Sequence, residues 1–362
     1  MEVHVNQDLL ARALQLVQNV VEPRQTLPIL ANVLLQAEDK VLTVSATDLE
    51  VAVKTTVPAV VDAPGSITLN ARKFHEIVRE LPADTLRLRV QENSWVFLSC
   101  GGASYKVVGL PADDFPTVPE GERGGARVTA GNLKAAIGRT SFAISHDEGR
   151  YALNGVHLSL RPEQLQLVAT DGHRLAMALC PVEGAEEAAG IVPRKAVQEL
   201  LRALGGEEEV EVALRENQFV LRMAAFQLVS RLIDGQFPNY EQVIPREHPI
   251  RISVNRDTLT AALRRVSVVA EDRTKPVKLA LAEGQLKITA YNPDFGEAEE
   301  VLPVEYAGAE MAVGFNSRYL VDALGAVEGS TAIIELKDAL SPGVVKGIGE
   351  GRDLCVIMPM RI

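Results

Sequence analysis

The chain has few of the residues that would support a disulfide framework, a metal–thiolate site or a membrane span. Three cysteines occur in 362 residues, at the scattered positions Cys100, Cys180 and Cys355, and no CxxC pair is present. They predict buried thiols in a reducing cytosol. No apolar run approaches the length of a membrane span, and residues 1–7 lack a basic region followed by an apolar stretch. We therefore expect a soluble, unexported, cytoplasmic protein.

Catalytic motifs are also scarce. His146-Asp-Glu148 and Asp171-Gly-His173 each place an acid near a histidine, but neither has a second cluster at metal-ligand spacing. The Asp-Gly step favours a turn after a strand. The glycines of residues 346–351 precede a strand-like segment and no helix, which favours a hairpin over a phosphate loop. No serine or cysteine nucleophile motif is present, so the sequence predicts no catalytic residue, metal or cofactor.

The chain does contain an internal repeat of about 123 residues. Asp48 and Asp171 follow the same Ala-Thr step 123 residues apart, and Asn292 takes the third position 121 residues later. Helical patterns that begin at Leu10 and Leu133 have the same spacing. Because each copy is long enough to bury its own core, the repeat predicts three domains and not a solenoid. The predicted domains are residues 1–120, 121–246 and 247–362.

Each copy carries one alternation twice, namely a strand, a helix and three more strands. In the first copy, helical spacing covers residues 7–19, and a Pro-Gly turn at 64–65 begins a second cycle with a helix at 71–81. The predicted strands of the first cycle are residues 2–6, 29–35, 41–46 and 50–57. The sequence therefore predicts an α+β fold of three repeated domains, each a pseudo-twofold pair of βαβββ units.

The distribution of charge points to a polyanion. A net charge of −11 by itself argues against a nucleic-acid-binding protein. The six predicted helices nevertheless carry a net positive charge, and the rest of the chain carries the negative balance. If the helices face one common space, they would neutralise phosphates without reading bases, so binding should be independent of sequence and sensitive to salt. The helical cations expected to face DNA are Arg72, Lys134, Arg139, Arg194, Lys195, Arg202, Arg256, Arg264 and Arg265.

Several specific runs resemble one known family. They include Val-Ala-Thr-Asp-Gly-His-Arg-Leu-Ala at 168–176, Asp-Gly-Gln-Phe-Pro-Asn-Tyr at 234–240 and Val-Ile-Met-Pro-Met-Arg-Ile at 356–362. On these runs the chain resembles the bacterial DNA polymerase III beta subunit, the sliding clamp, along essentially its whole length. The resemblance implies a head-to-tail homodimeric ring of six similar domains, with helices lining a hole for double-stranded DNA and sheets outside.

The resemblance also implies a peptide-docking pocket between domains 2 and 3. Its partners would be short peptides of the DNA polymerase III catalytic subunit, the clamp loader, other polymerases and repair proteins, with no membrane involved. Methionine and aliphatic side chains would give the pocket an adaptable apolar wall. The implied lining is Leu153, Thr170, Gly172, His173, Arg174, Leu175, Pro238, Val243, Asn316, Tyr319, Leu340, Val356, Met358, Pro359, Met360 and Arg361.

Two further groups of residues follow from the resemblance. Arg24 and Arg150, both in predicted loops, are expected to contact DNA. At the ring seam, acidic residues of domain 3 would face basic residues of domain 1, and the paired edges would remove exposed sheet edges. The expected seam residues are Lys73, Lys106, Glu297, Glu299 and Glu300.

Two other functions stay open on the residues alone. One is a hydrolase or transferase built on duplicated domains, and the other is a protein scaffold that acts without DNA. A clamp should stay on circular DNA and leave linear DNA, whereas a scaffold should show no such difference. An enzyme should lose activity on His173→Ala with peptide binding unchanged.

Overall fold

One motif builds the whole chain. The computed structural model describes residues 1–21, 27–121, 124–245, 247–270, 274–349 and 353–361, so the predicted DNA contact Arg24 lies outside it. Within these residues a strand, an α-helix and three further strands recur six times. The predicted α+β fold of paired βαβββ units is therefore confirmed.

The first predicted domain holds two copies of the motif. The elements of the first copy are β1 (Glu2–Asn6), α1 (Gln7–Val17), β2 (Asn32–Glu38), β3 (Val41–Thr47) and β4 (Val51–Ala63). Those of the second copy are β5 (Gly65–Asn70), α2 (Ala71–Glu80), β6 (Thr85–Val90), β7 (Trp95–Cys100) and β8 (Ala103–Val108).

The second and third predicted domains repeat the pattern. The elements of the second domain are β9 (Ala126–Thr129), α3 (Ala130–Gly138), β10 (Gly155–Arg161), β11 (Gln164–Thr170), β12 (Arg174–Pro181), β13 (Ala188–Pro193), α4 (Arg194–Ala203), β14 (Glu209–Arg215), β15 (Gln218–Arg222) and β16 (Phe226–Arg231). Those of the third are β17 (Ile250–Asn255), α5 (Arg256–Val266), β18 (Pro276–Ala282), β19 (Gln285–Asn292), β20 (Gly296–Pro303), β21 (Met311–Asn316), α6 (Ser317–Ala326), β22 (Thr331–Leu336), β23 (Gly343–Gly347) and β24 (Leu354–Ile357).

Asparagine side chains start four of the six helices directly after a strand. Asn6, Asn70, Asn255 and Asn316 each end a strand, and each side chain accepts a hydrogen bond from a backbone N–H in the first turn of α1, α2, α5 or α6. An N-cap residue keeps extended backbone angles while its side chain satisfies an orphan N–H. A strand can therefore pass into a helix with no intervening loop.

The chain forms two compact units. The first unit comprises Met1–Gly131 and Val182–Leu232, and the second comprises Asn132–Pro181 and Ile233–Ile362. Each unit thus combines one whole predicted domain with part of the second domain. The predicted boundaries after residues 120 and 246 stay predictions.

In the first unit one antiparallel sheet crosses the predicted joint between domains 1 and 2. Its main strand order is β8-β7-β6-β1-β4-β16-β15-β14-β9. The long strand β4 makes this possible, because its first part pairs with β16 and its last part pairs with β1. Strand β8 is the outer strand at one end.

The second unit contains two antiparallel sheets. Seven of its strands follow one another in the order β10-β11-β12-β24-β23-β22-β17, and four more form a sheet in the order β20-β19-β18-β21. The pairing of β12 with β24 joins predicted domains 2 and 3, with Leu175 opposite Val356. Strand β20 is an outer strand of the smaller sheet.

The structure differs from the sequence expectations in three local places. The strand predicted at 29–35 begins at Asn32, since Pro28–Ala31 forms a 3₁₀ helix whose proline fixes φ and lacks an N–H for strand pairing. Strand β4 continues to Ala63, beyond the predicted end at 57, because β1 pairs with the extension. Helix α3 ends at Gly138, three residues before the end of the helix that the sequence pattern predicts at 131–141. No helix among the described residues is both long and apolar enough to cross a bilayer.

Candidate functional site

The turn between β11 and β12 organises the candidate site. Asp171 Oδ1 accepts hydrogen bonds from the backbone N–H groups of His173 (2.9 Å) and Arg174 (3.0 Å). Gly172 has a φ of +88°, and a Cβ at this position would lie 2.5 Å from Arg150 Nη1. The backbone angle therefore favours glycine, whereas the end of the flexible Arg150 side chain could move aside for a Cβ. The prediction that this Asp-Gly-His run is a turn is confirmed, and its carboxylate serves the turn.

A cavity of about 140 Å³ opens beside this turn, entirely within the second unit. Aliphatic side chains, one methionine and one proline supply much of its wall, and its charged or polar side chains are those of Arg174, His173, Thr170 and Tyr240. Its lining is Leu153, Thr170, Gly172, His173, Arg174, Leu175, Pro238, Tyr240, Val243, Val356 and Met358. Ten of these residues are among those expected from the sequence. Tyr240 was missed, although it ends the Phe-Pro-Asn-Tyr run that helped to identify the resemblance.

Pairing between strands brings distant parts of the chain to this cavity. The register of β12 with β24 sets Arg174 opposite Ile357 and Leu175 opposite Val356. Beyond β24, the N–H of Met358 donates to the carbonyl oxygen of His173 at 2.9 Å. Met358 is 39% exposed, so its flexible side chain is available at the mouth of the cavity.

The other expected pocket residues lie around the cavity and do not line it. Asn316 caps α6, and the N–H of Met360 donates to Gly314 O at 2.8 Å. Pro359 and Arg361 flank Met360 in the chain, and Leu340 is 77% exposed in the loop between β22 and β23.

A second groove of about 460 Å³ shares Val243 and Met358 with the cavity. Its remaining lining is Gln242, Pro245, Glu247, Lys337, Ser341 and Pro342.

Arg174 is the most highly connected polar side chain at the cavity. Its Nε donates to Asp171 Oδ2 at 3.1 Å, its Nη1 to Asp322 Oδ2 at 2.5 Å and its Nη2 to Phe142 O at 2.6 Å. The guanidinium carbon lies 4.3 Å from the ring centroid of Tyr319. Burial raises the pKa of this tyrosine. Charge-assisted bonds of this kind hold Arg174 in one position.

An aromatic cluster supports the side of the cavity formed by Pro238 and Tyr240. The rings of His157 on β10 and Phe237 are stacked with centroids 5.0 Å apart, and Tyr240 lies 6.4 Å from His157. The Tyr240 hydroxyl donates to Gln166 Oε1 at 3.2 Å. Burial lowers the pKa of His157 from its ordinary value near 6.5, so the folded state favours the neutral ring.

The aromatic cluster predicts a dependence of stability on pH. Since the pKa of His157 is lower in the folded chain, the unfolded chain binds the proton first as the pH falls below about 6.5. The free energy of unfolding should therefore fall between about pH 6.5 and 5, by at most about 1.4 kcal/mol per pH unit for one proton. Chemical unfolding of wild type and His157→Phe, followed by circular dichroism across this range, should give a shallower pH slope for the variant. Equal slopes would remove His157 as the cause.

The expected DNA-facing cations lie mostly on helices, and many already have acidic partners. Arg72 pairs with Glu76, Arg202 with Glu199, Arg256 with Asp257 and Arg265 with Glu300. Lys134 is on α3, Arg194 begins α4, and Arg264 is exposed on α5. In the loop before β10, Arg150 pairs with Asp147 and donates to Asp171 O. Glu76, Glu199 and Asp257 lie on the same helices as their partners and are already counted in the net helical charge, so among these pairs only Glu300 on β20 compensates a helical cation from outside the helices.

Two of these cations are already engaged in partly buried ion pairs within the chain, which limits their availability to phosphate. Arg139 follows α3, is 17% exposed, and contacts Glu328 at 2.5 Å and Asp353 at 2.8 Å. Lys195 on α4 pairs with the nearly buried carboxylate of Asp48. Partly buried ion pairs hold their members in place, because separating them would leave a charge uncompensated. The expectation that Arg139 and Lys195 face DNA stays a prediction, and these ion pairs would have to open for either group to reach a phosphate.

The expected seam residues lie on two outer strands and one helix. Lys106 is on β8, with its ammonium 4.5 Å from the Trp95 ring centroid, and Lys73 on α2 pairs with Glu76. Glu297, Glu299 and Glu300 are on β20. Within the chain Glu299 pairs with Lys287 at 2.6 Å, and Glu300 forms two bonds to Arg265. The three acidic residues thus lie on the outer strand β20, where two of them have basic partners within the chain, while Lys106 lies on the outer strand β8 and Lys73 lies on a helix.

One cluster of metal-ligand type lies elsewhere. Glu2, His4 and Asp62 place ligand atoms within 4.8 Å of one another on β1 and β4. Glu2 is engaged by Arg87, which lowers the pKa of the carboxyl, and Arg89 lies 4.0 Å away. Two guanidinium groups already compensate this carboxylate, so the cluster is a weak candidate for a cation.

Comparison with models of known protein families shows the family to which the chain belongs. Models of the DNA polymerase III beta subunit match three times, with the N-terminal domain at residues 1–119, the central domain at 127–239 and the C-terminal domain at 241–361. The chain belongs to the DNA polymerase III beta subunit family. The beta sliding clamp of Pseudomonas putida is 38% identical to it over 100% of both chains, and that of Escherichia coli K12 is 36% identical over 100% of both.

A solved clamp agrees in structure as well. The crystal structure of the Pseudomonas aeruginosa DnaN sliding clamp bound to griselimycin has a TM-score of 0.94 at 38% identity, with 100% of both chains covered. The chain is thus a sliding clamp of DNA polymerase III, a non-catalytic processivity factor with three clamp domains. The resemblance predicted from the sequence is confirmed, and the hydrolase or transferase alternative is set aside.

Proposed function

We propose that two copies of the clamp close head to tail into a ring around duplex DNA and tether other replication and repair proteins through the cavity beside Arg174. The single observation that carries the tethering part is this cavity, which joins apolar walls to a fixed arginine. The proposed partners are the catalytic subunit of DNA polymerase III, the clamp loader, other polymerases and repair proteins, each through a short peptide.

The chemistry of the cavity suits a short apolar peptide segment. A volume of about 140 Å³ accommodates one or two aliphatic or aromatic side chains, and the adjoining groove gives the peptide a path past Val243 and Met358. A disordered segment that orders on docking loses conformational entropy, which keeps its affinity modest and its exchange fast. Because the Pseudomonas aeruginosa clamp binds griselimycin, we propose that this cavity takes griselimycin too.

The proposed ring rests on the two outer strands. Strand β8 presents Lys106, and β20 presents Glu297, Glu299 and Glu300. Strands with unpaired edges tend to associate, and opposite charges would favour the pairing of β8 with β20 over other pairings. A contact between two different surfaces of the same chain closes into a ring when the rotation from one copy to the next permits it. Two copies with three domains each would give a ring of six domains. Lys73 on α2 would add positive charge to the same seam.

The proposed contact with DNA is electrostatic and weak. Phosphates would meet Arg72, Arg150 and the remaining helical cations, together with Arg24, which lies outside the described residues. Since most of these groups also have acidic neighbours, each contact contributes little, and the clamp can move along the duplex. The remaining helical cations in this proposal are Lys134, Arg194, Arg202, Arg256, Arg264 and Arg265.

A topological assay tests the ring directly. After loading onto nicked circular DNA by a bacterial clamp loader, the clamp should co-elute with the DNA in gel filtration, and linearising the circle should release most of it. Raising salt should change retention on the circle far less than it changes contact with linear DNA, because a closed ring is held by topology. Equal retention on circular and linear DNA would contradict the proposal and favour a scaffold that acts without encircling DNA.

A further inference from the structure

The guanidinium of Arg174 is committed to bonds inside the chain. Each of its three nitrogens donates to an oxygen of the same chain, and its side chain is only 13% exposed. An incoming peptide therefore meets an arginine whose position is already set. The affinity of the cavity should depend on the groups that set this position.

These groups come from three separate elements. Asp171 belongs to the turn before β12, Phe142 to a 3₁₀ helix after α3, and Asp322 to α6. Asp171 also accepts two backbone N–H groups, so its replacement would destroy the turn. Phe142 contributes a backbone carbonyl, which no substitution removes. Asp322 is the partner that can be changed without breaking local backbone structure.

Asp322 lies outside the lining of the cavity and is 41% exposed. Its carboxylate contacts Nη1 of Arg174 at 2.5 Å, and one turn earlier on α6 the ring of Tyr319 packs against the same guanidinium. Helix α6 thus holds Arg174 by a charge and by an aromatic face. The bond crosses from predicted domain 3 to the wall that predicted domain 2 contributes.

We infer that Asp322 is a positioning residue for peptide docking, which acts through Arg174 and touches no peptide itself. This inference rests on the proposed docking function. Without the carboxylate, Arg174 keeps two of its three bonds and can rotate toward the cavity or toward solvent. Part of the free energy of peptide binding must then be used to return Arg174 to its position, so the affinity for the peptide falls.

The test uses griselimycin as the probe, measured by isothermal titration calorimetry on the full-length clamp. Asp322→Asn keeps the shape of the side chain and removes its charge, and we expect its Kd to rise about five- to tenfold, which lies within the range of coupling found for residues of one hydrogen-bond or salt-bridge network. Asp322→Glu should restore most of the affinity, because a carboxylate can again reach Arg174.

A matched control distinguishes the positioning of Arg174 by Asp322 from a general loss of stability. Glu328 follows α6 and pairs with Arg139 at 2.5 Å, so Glu328→Gln breaks a similar ion pair away from the cavity. Its Kd should stay within about twofold of wild type even where its melting temperature falls as much as that of Asp322→Asn. Equal weakening by both variants would overturn the inference, as would unchanged binding by Asp322→Asn.

Failure of the docking function itself would look different. Met358→Ala shortens a side chain of the cavity wall and should weaken griselimycin strongly. If wild type does not bind griselimycin, or if Met358→Ala binds as wild type does, the proposed pocket is overturned together with the inference. If Met358→Ala weakens binding and Asp322→Asn does not, only the positioning role is overturned.

Discussion

Deleting residues 358–362 should weaken griselimycin binding by at least about 100-fold while leaving the quaternary state unchanged. The deletion removes the side chain of Met358 from the cavity wall and the N–H bond from Met358 to His173 O. It also removes the bond from Met360 to Gly314 O, which holds the segment against β21. Binding is measured by calorimetry, and the quaternary state by analytical ultracentrifugation.

A shorter deletion is the matched control. Arg361 is exposed and does not line the cavity, so removing residues 361–362 should change the Kd by no more than about threefold. Near wild-type affinity in the longer deletion would refute the assignment of the cavity as the docking site. A large loss in the shorter one would move the site toward Arg361.

Charge reversal at the proposed seam should convert the dimer to monomers. Lys106→Glu would place a carboxylate on β8 opposite the acidic run of β20, and the repulsion occurs at both seams of a two-fold ring. We expect the dimer dissociation constant to rise about 100-fold or more, because like charges in contact cost several kcal/mol. Sedimentation equilibrium across a range of concentrations measures it.

A charge swap distinguishes repulsion from local damage. Lys106 also packs over Trp95, so Lys106→Glu disturbs its own strand. Combining it with Glu297→Lys restores opposite signs across the seam, and the double variant should dimerise more tightly than either single variant. Lys40→Glu, on the exposed turn between β2 and β3, should dimerise as wild type does. No recovery in the double variant would argue against this pairing of edges.

Local features were predictable from the sequence because each depends on neighbouring residues. The strand that contains Val51 and Val53, the Asp-Gly turn at 171–172 and the helix that follows Asn70 all rest on short-range chemistry. The repeat then extended these assignments to all three domains. Helix ends were predicted less well, since α3 stops at Gly138, a residue of low helix propensity, before the predicted end at 141.

Long-range pairings could not be predicted in this way. Nothing in the pattern of β4 indicates that part of it would pair with β16, about 175 residues later. The ion pairs of Arg139 and Arg174 could not be predicted either, because in the sequence both are simply basic residues of predicted domain 2. Arg139 forms ion pairs with Glu328 and Asp353, and Arg174 forms ion pairs with Asp171 and Asp322. Pair formation depends on where the fold brings carboxylates, which a count of charges does not contain.

The place of β24 in its sheet has a consequence for biosynthesis. This strand lies between β12 and β23, so the part of the cavity made from residues 153–243 lacks a wall until a segment translated much later has been inserted. A nascent or truncated chain without residues 354–358 would have the turn at Asp171 but no Val356 or Met358 beside it. If the cavity docks peptides as proposed, it could do so only after this late segment has folded, and incomplete clamps would not compete for the peptides of the proposed partners.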